Sequence, residues 1–331
     1  MEVRLVTAAG VERRPPSSLD GALRGHPPIG GGPIWVDIPV GDEEAGNTLS
    51  ATFGFHPAAV EDCARRNRVP RVDVYRDHVF VVLHAPELGA RGHIHFVEID
   101  QFIAAHYLVT VHGPVNPAVD PKVAHRETDA VLARLTAGQL RPSSGFELSH
   151  AIVCSVIGGQ EQLVESLTRE VWNLEQQVTG GHLCDPEHLL DELFRVRHGL
   201  LAIRTMSASG RDVYARMAQL ATVVPDSARA LAGDVADRFE RVRAQADVQR
   251  EYLQGVIDFF RARTETKMTI AAERLAVIAA VTLPVTALSS VLGMNLIVNG
   301  HTQVLPLAAA IAVMAVMSAT VLLWARRRGW F

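Results

Sequence analysis

The sequence predicts an α+β membrane protein in three parts: an N-terminal cytoplasmic α/β domain, a long helical stalk and two C-terminal transmembrane helices. Three observations carry this expectation. No Asp, Glu, Lys or Arg stands between Arg274 and Arg326. Apolar strand patterns alternate with a helix signal between Ile34 and His112. From Asp226 onward no proline interrupts the chain until Pro284. The expected boundaries are 1–125 for the α/β domain, 126–272 for the stalk and 273–331 for the hairpin and its basic tail.

Within the first part, Ile34–Ile38 and Val79–Leu83 read as strands, the second an unbroken apolar run of the kind buried on both faces. Pro57 opens a short helix to Arg66, since a proline ring suits the first helical turn. Phe96–Ile103 and Tyr107–Val111 read as two further strands around a tight turn at Ala104–His106. Gly30-Gly31-Gly32-Pro33 lacks the Gly-Lys-Ser/Thr and the following helix of a phosphate loop, and is read as a plain loop.

Beyond Pro121 the chain turns helical. Phe146–Val178 reads as one helix, ended near Gly180-Gly181, and Pro186 opens another running towards Val223. A third helix from Asp226 to Leu292 would be on the order of 100 Å long at 1.5 Å per residue. Its apolar positions Val235, Phe239, Val242, Leu253, Val256, Ile257 and Phe260 require partners, because an isolated helix cannot expose such a stripe to water.

Leu275–Leu292 and Val304–Trp324 each approach the ~20 apolar residues that cross a hydrocarbon core. The connection from Gly293 to Gln303 is too short for a domain, so the two spans are antiparallel neighbours. It carries no Lys or Arg, whereas Arg326-Arg327-Arg328 follows the second span. The positive-inside rule then places the C-terminus, and with an even number of spans the N-terminus, on the cytoplasmic side of the cell (inner) membrane. Trp324, Trp330 and Phe331 suit anchoring at that interface. The first residues, Met-Glu-Val-Arg-Leu-Val-Thr, bear charges where a cleaved signal has its apolar region, so no signal is expected.

Composition narrows the function further. Cys63, Cys154 and Cys184 are widely spaced and read as reduced thiols. A net charge of −4, without a basic cluster interleaved with aromatics, speaks against nucleic acid as a partner. No nucleophile–base spacing or metal-catalytic motif supports an enzyme. His182-Leu183-Cys184 with His188 has soft-metal side chains, but lies at a helix–helix turn and is read as loop surface. Two spans cannot wall a polar path through lipid, so conduction would need self-assembly. The first span suits pore lining, with hydroxyls at Thr282, Thr286, Ser289 and Ser290 and small Ala279 and Ala280. The second, mostly Ala, Val, Leu and Met, suits lipid.

Gly293-Met294-Asn295, at the outer end of the first span, resembles the signature of the CorA-type divalent metal-ion transporters. Leu283-Pro284-Val285-Thr286 before it and the basic-aromatic tail after Arg326 are similar to the same family. So are Phe55-His56-Pro57-Ala58-Ala59-Val60-Glu61-Asp62-Cys63 and Pro70-Arg71-Val72-Asp73-Val74-Tyr75. The likeness covers roughly Leu49 to Phe331. It implies a homopentameric funnel in which the first span lines a central pore and Gly293, Met294 and Asn295 form a selectivity filter. The cargo implied is hydrated Mg²⁺, with Co²⁺ and Ni²⁺ as further ions; the partners are the chain's own copies, membrane lipid and divalent metals. Mg²⁺ sheds its water shell reluctantly, so amide oxygens of Asn295 can accept hydrogen bonds from the bound waters. The other reading of Asn295 is a helix C-cap.

Inward from that filter, a helix keeping one face on an axis returns at intervals of three and four residues. Thr286, Leu283, Ala279, Leu275, Ala272 and Thr269 fit that face. Leu275 and Leu283 serve equally as dewetting constrictions or as helix packing. The resemblance also implies regulatory Mg²⁺ bound between subunits by Asp234 and Asp237, with Asp258 as a further stalk acid, so that Mg²⁺ is both cargo and regulator. A solvated helix face is the alternative for these acids. The acid expected opposite them falls near Gly89, with Glu87 the nearest carboxylate. Further departures are the outer loop, which has His301 and no acid, the pair Glu273-Arg274 at the inner end, and Thr269 where the family often has Asn. Two other readings stand beside the Mg²⁺ channel: a proton-coupled zinc transporter of the same superfamily, and a non-conducting membrane-anchored sensor or scaffold.

Overall fold

The computed structural model describes all residues except 8–9, 20–31, 43, 68, 90–91, 115, 181–185, 297–303 and 328–331; the side chains of 291–296, 304, 306 and 307 also lie outside the description. His182, Cys184, His301, Trp330 and Phe331 therefore fall outside the described residues. The chain divides into two compact units, Met1–Val256 and Ile257–Phe331.

The first unit is organised by a seven-stranded sheet in the order β2-β1-β3-β7-β6-β5-β4. The strands are β1 (Glu2–Thr7), β2 (Gly10–Arg14), β3 (Ile34–Ile38), β4 (Arg71–Val74), β5 (Val79–Leu88), β6 (Ile94–Ile103) and β7 (Tyr107–His112). Only β3 and β7 pair in parallel among these neighbours. The expected strands at Ile34, Val79, Phe96 and Tyr107 are all present, the second and third longer than their apolar runs alone indicate. The sheet also gains β1, β2 and β4. β1 mixes charged residues with apolar ones, β2 ends in three consecutive charges, and β4 is four residues long, so none carries a strong apolar signal.

Both faces of the sheet are covered, which is why β5 is buried from Val79 to Pro86. On one face Val36, Phe80, Val82, Phe102 and Val109 pack with Leu49, Phe55, Ala59 and Cys63. The last two belong to α1 (Pro57–Ala64), which begins with Pro57 and is capped by His56 Nδ1 accepting from the Ala58 N–H at 3.2 Å. The opposite face receives α2 (Arg126–Thr136) and α3 (Gly145–Gly180). Two buried side-chain bonds fix this layer. Ser149 Oγ on α3 donates to Gln101 Oε1 on β6 at 2.5 Å, and Ser207 Oγ donates to Gln160 Oε1 at 2.7 Å. The second ties α3 to α4 (Pro186–Met217). α4 stops at Met217, short of the expected Val223, and the chain then turns until Val224.

α5 (Asp226–Leu296) is a single helix of 71 residues, continuous as expected and carrying Pro284 inside it. All seven apolar positions that the sequence reading singled out between Val235 and Phe260 are buried. Phe239 packs tightly on α4: a Cβ placed on Gly210 of that helix would lie 2.7 Å from its ring. Beyond Phe260 the cover ends. From Arg261 to Ala276 every residue is exposed except the half-buried Arg263, including Met268, Ile270 and Leu275. The final helix, α6 (Val304–Arg327), is the second apolar span.

Candidate functional site

The apolar part of α5 has two distinct faces. Val277 is buried and Val281, Pro284, Val285 and Leu288 are half-buried. In α6 the matching set is Ala310, Met314, Met317, Ser318, Val321 and Ala325. Both sets follow the three- and four-residue spacing of one helical stripe, as two antiparallel helices in contact require. The six positions expected to line a pore, Thr269, Ala272, Leu275, Ala279, Leu283 and Thr286, are all exposed. At about 100° per residue they occupy an arc of about 120°, centred nearly opposite the covered stripe of α5. Leu275 and Leu283 are 66% and 67% exposed, so the described residues of a single chain leave most of each side chain uncovered.

Local chemistry along this face is set by the helix itself. Thr269, Thr282 and Thr286 each donate a hydroxyl hydrogen to the carbonyl four residues earlier, at 2.8–3.0 Å. Their oxygens keep lone pairs free to accept from water. Pro284 has no N–H, so the carbonyl of Ala280 loses its usual helical partner.

Gly293-Met294-Asn295 lies within the last turn of α5, which ends at Leu296. The sequence reading placed this tripeptide in the turn between spans; the helix instead continues through it, because each residue added to an existing helix closes one more backbone bond.

Two of the acids expected to bind regulatory metal, Glu87 and Asp234, are engaged within the chain. Glu87, on β5, takes Arg126 Nη1 at 2.6 Å. Asp234 takes Arg238 Nε at 2.8 Å and lies 3.5 Å from His150 Nε2. Partial burial pushes the Asp234 carboxyl up, but Arg238 and His150 outweigh it and hold it below the ordinary carboxylate range. Asp237 and Asp258 are exposed on the same helix. Among the described residues, Glu87, Asp234 and Asp237 do not converge as ligands in one chain. The group that does converge is Asp37, His112 and His125, none of which the sequence reading singled out.

The sequence model of the family described as "CorA-like Mg2+ transporter protein" matches residues 30–327. The chain belongs to the CorA family. YfjQ of Bacillus subtilis is 24% identical over 311 residues, covering 90% of this chain and 89% of that one. The cobalt/magnesium transport protein CorA of Thermotoga maritima is 20% identical over 267 residues, 80% of this chain and 73% of that one. Among solved structures, the complete CorA magnesium transporter of Methanocaldococcus jannaschii superposes with a TM-score of 0.78 at 16% identity, over 100% of this chain and 99% of that one. The cytoplasmic domain of ZntB from Vibrio parahaemolyticus gives 0.61 at 9% identity, over 80% and 98%. At such identities the superpositions establish the fold. Family membership makes the chain a divalent metal-ion transporter of the membrane with two C-terminal spans, and not an enzyme.

Proposed function

We propose that this CorA-family chain assembles as a homopentamer and passes hydrated Mg²⁺ inward through a pore lined by α5, with Gly293, Met294 and Asn295 at its outer mouth. The observation that carries the reading is the uncovered face of α5, followed from Thr269 to Thr286 and opposite the covered stripe of the same helix. A spanning helix with Thr and Leu exposed on one face and an almost entirely exposed inner extension needs neighbours on that face, and further copies of the same helix supply them. The C-terminal end of α5 is the negative end of its dipole and favours a cation there. Asn295 amides accept hydrogen bonds from the ion's water shell without stripping it. Neutral ligands also release the ion readily, as conduction requires. No ATP is needed: a divalent cation gains about 4.6 kcal/mol per 100 mV on moving inward. Co²⁺ and Ni²⁺ are further cargo under the same reading.

A cysteine placed at Leu283 tests the lining. In proteoliposomes, a membrane-impermeant cationic thiol reagent added outside blocks Mg²⁺ flux through Leu283→Cys and spares Ile278→Cys, which is exposed but lies off the pore arc. Equal block at both positions, or at neither, contradicts the assignment. The likeness to the ZntB domain favours a second reading, proton-coupled zinc transport. Zn²⁺ flux that collapses when the pH gradient is removed, in protein that carries no Mg²⁺, selects that reading.

A further inference from the structure

The carboxyl ends of the two parallel strands carry a chemistry that ion conduction does not use. β3 and β7 pair with Asp37 opposite Thr110 and Ile38 opposite Val111. Side chains alternate along a strand, so Asp37, Thr110 and His112 share one face. Carboxyl ends of parallel strands are a favoured ligand position in open α/β sheets. His125, ending the short helix Pro121–His125, comes over this edge with its ring centroid 4.0 Å from that of His112. His112 Nε2 lies 2.9 Å from Asp37 Oδ1, and His125 Nδ1 lies 3.8 Å from Oδ2. One ligand atom from each of the three falls within 4.8 Å of the other two. Asp37 and His112 are buried and His125 is half-buried, so the cluster is closed towards the sheet and reachable from the His125 side.

We propose that Asp37, His112 and His125 bind a divalent transition-metal ion, Zn²⁺ or Co²⁺ rather than Mg²⁺, within the α/β domain. The site stands apart from α5 and does not depend on the conduction reading. Two imidazoles and one carboxylate suit Zn²⁺, Co²⁺ or Ni²⁺, whereas Mg²⁺ prefers an octahedron of oxygens. Ligands at about 2.0 Å around a tetrahedral ion sit about 3.3 Å apart, and the three ligand atoms, all within 4.8 Å of one another, reach that spacing through a modest turn of the half-buried His125 ring.

The surroundings orient the ligands. The Thr110 hydroxyl donates to Asp37 Oδ1 and itself accepts from Trp35 Nε1 at 3.0 Å, which anchors the carboxylate. Thr128 Oγ1, 3.5 Å from His112 Nε2, or a water supplies a fourth position. Arg4 Nη1 lies 3.8 Å from Asp37 Oδ2 and would oppose a cation. Arg4 is paired with Glu2 and lies 5.0 Å over the Trp35 ring, so its charge is largely answered and that of Asp37 remains for the ion. Nδ1 of His112 has no hydrogen-bond partner, and without that support affinity falls below that of a fully buttressed site.

The test uses the full-length protein in detergent, equilibrated with Zn²⁺ under about hundredfold excess Mg²⁺, which occupies oxygen-only sites. The native chain retains one Zn²⁺ more per chain than His125→Asn, and Asn295→Ala retains the same extra ion. Co²⁺-loaded native protein shows the visible ligand-field bands of nitrogen-bound tetrahedral cobalt, and His125→Asn lacks them. His125 is only half-buried, and a thermal unfolding curve in metal-free buffer matching the native one verifies that this variant folds. Asp37→Asn gives an independent loss of the ion. Equal zinc content in native and His125→Asn protein overturns the proposal. So does loss of the extra ion in Asn295→Ala, and so does a native chain that retains no zinc.

Discussion

Replacing Arg238 by Ala asks whether Asp234 reads intracellular Mg²⁺. Arg238 holds Asp234 at 2.8 Å, and the two side chains are 41% and 47% exposed. For Mg²⁺ to bind between subunits at Asp234, this pair must open. An exposed pair four residues apart on a helix is worth about 0.5 kcal/mol. Removing Arg238 therefore lowers the opening cost by about that amount at each subunit, which strengthens Mg²⁺ binding about twofold per site. If five sites close the pore together, the closed state gains about 2.5 kcal/mol at a fixed Mg²⁺ concentration. The assay is Mg²⁺ flux, or protection from limited proteolysis, as a function of Mg²⁺ on the cytoplasmic side. The midpoint of Arg238→Ala is expected about twofold lower than that of the native chain, with the difference shrinking at high salt. A midpoint that stays put or rises, or an unaltered Mg²⁺ response in Asp234→Asn, refutes a sensing role for this acid.

Other outcomes follow from groups inside the first unit. Burial, reinforced by Glu98, pushes the Asp100 carboxyl well above its ordinary range, against a smaller opposing hydrogen bond from the Cys63 thiol. A carboxyl raised in the fold is favourable below its unfolded value, and stability is lost as pH rises from there through the folded value. Asp100→Asn is accordingly expected to raise neutral-pH stability by about 1–3 kcal/mol and to flatten that acid-side slope in thermal melts. Gly210→Ala drives a Cβ to 2.7 Å from the Phe239 ring and is expected to destabilise by about 1–3 kcal/mol. Gly158→Ala, with nothing within 4 Å in the same helical layer, is expected to stabilise by about 0.5–1 kcal/mol. The opposite signs are read from paired melting curves.

Much of this architecture is legible in the sequence because it rests on strong periodic or compositional signals. The charge-free run from Arg274 to Arg326 marks the spans, and the buried stripe from Val235 to Phe260 marks α5. The continuous apolar run at Val79 identifies a strand buried on both faces. β1, β2 and β4 are not legible, since the first two are interrupted by charges and the last depends on pairing with β5. Residues 126–217 read as helical, but helical periodicity does not reveal that α2 and α3 lie on the sheet. That contact depends on distant partners such as Gln101 on β6 for Ser149 on α3. The candidate pore face was legible from spacing, and its exposure opposite the stripe facing α6 came only with the fold. Asp37, His112 and His125 were invisible as a group, because a parallel pairing and a one-turn helix bring together residues 75 and 88 positions apart in sequence. His112 and His125 alone carry no ligand spacing that a motif would register.

The most direct test of conduction through α5 is Mg²⁺ influx into proteoliposomes at a fixed inside-negative potential, comparing the native chain with Asn295→Ala. Rapid, voltage-dependent influx in the native protein that the substitution abolishes, with both proteins assembled to the same oligomer, is the predicted result. Influx unchanged by the substitution contradicts the filter, and no divalent flux from correctly assembled native protein contradicts the channel.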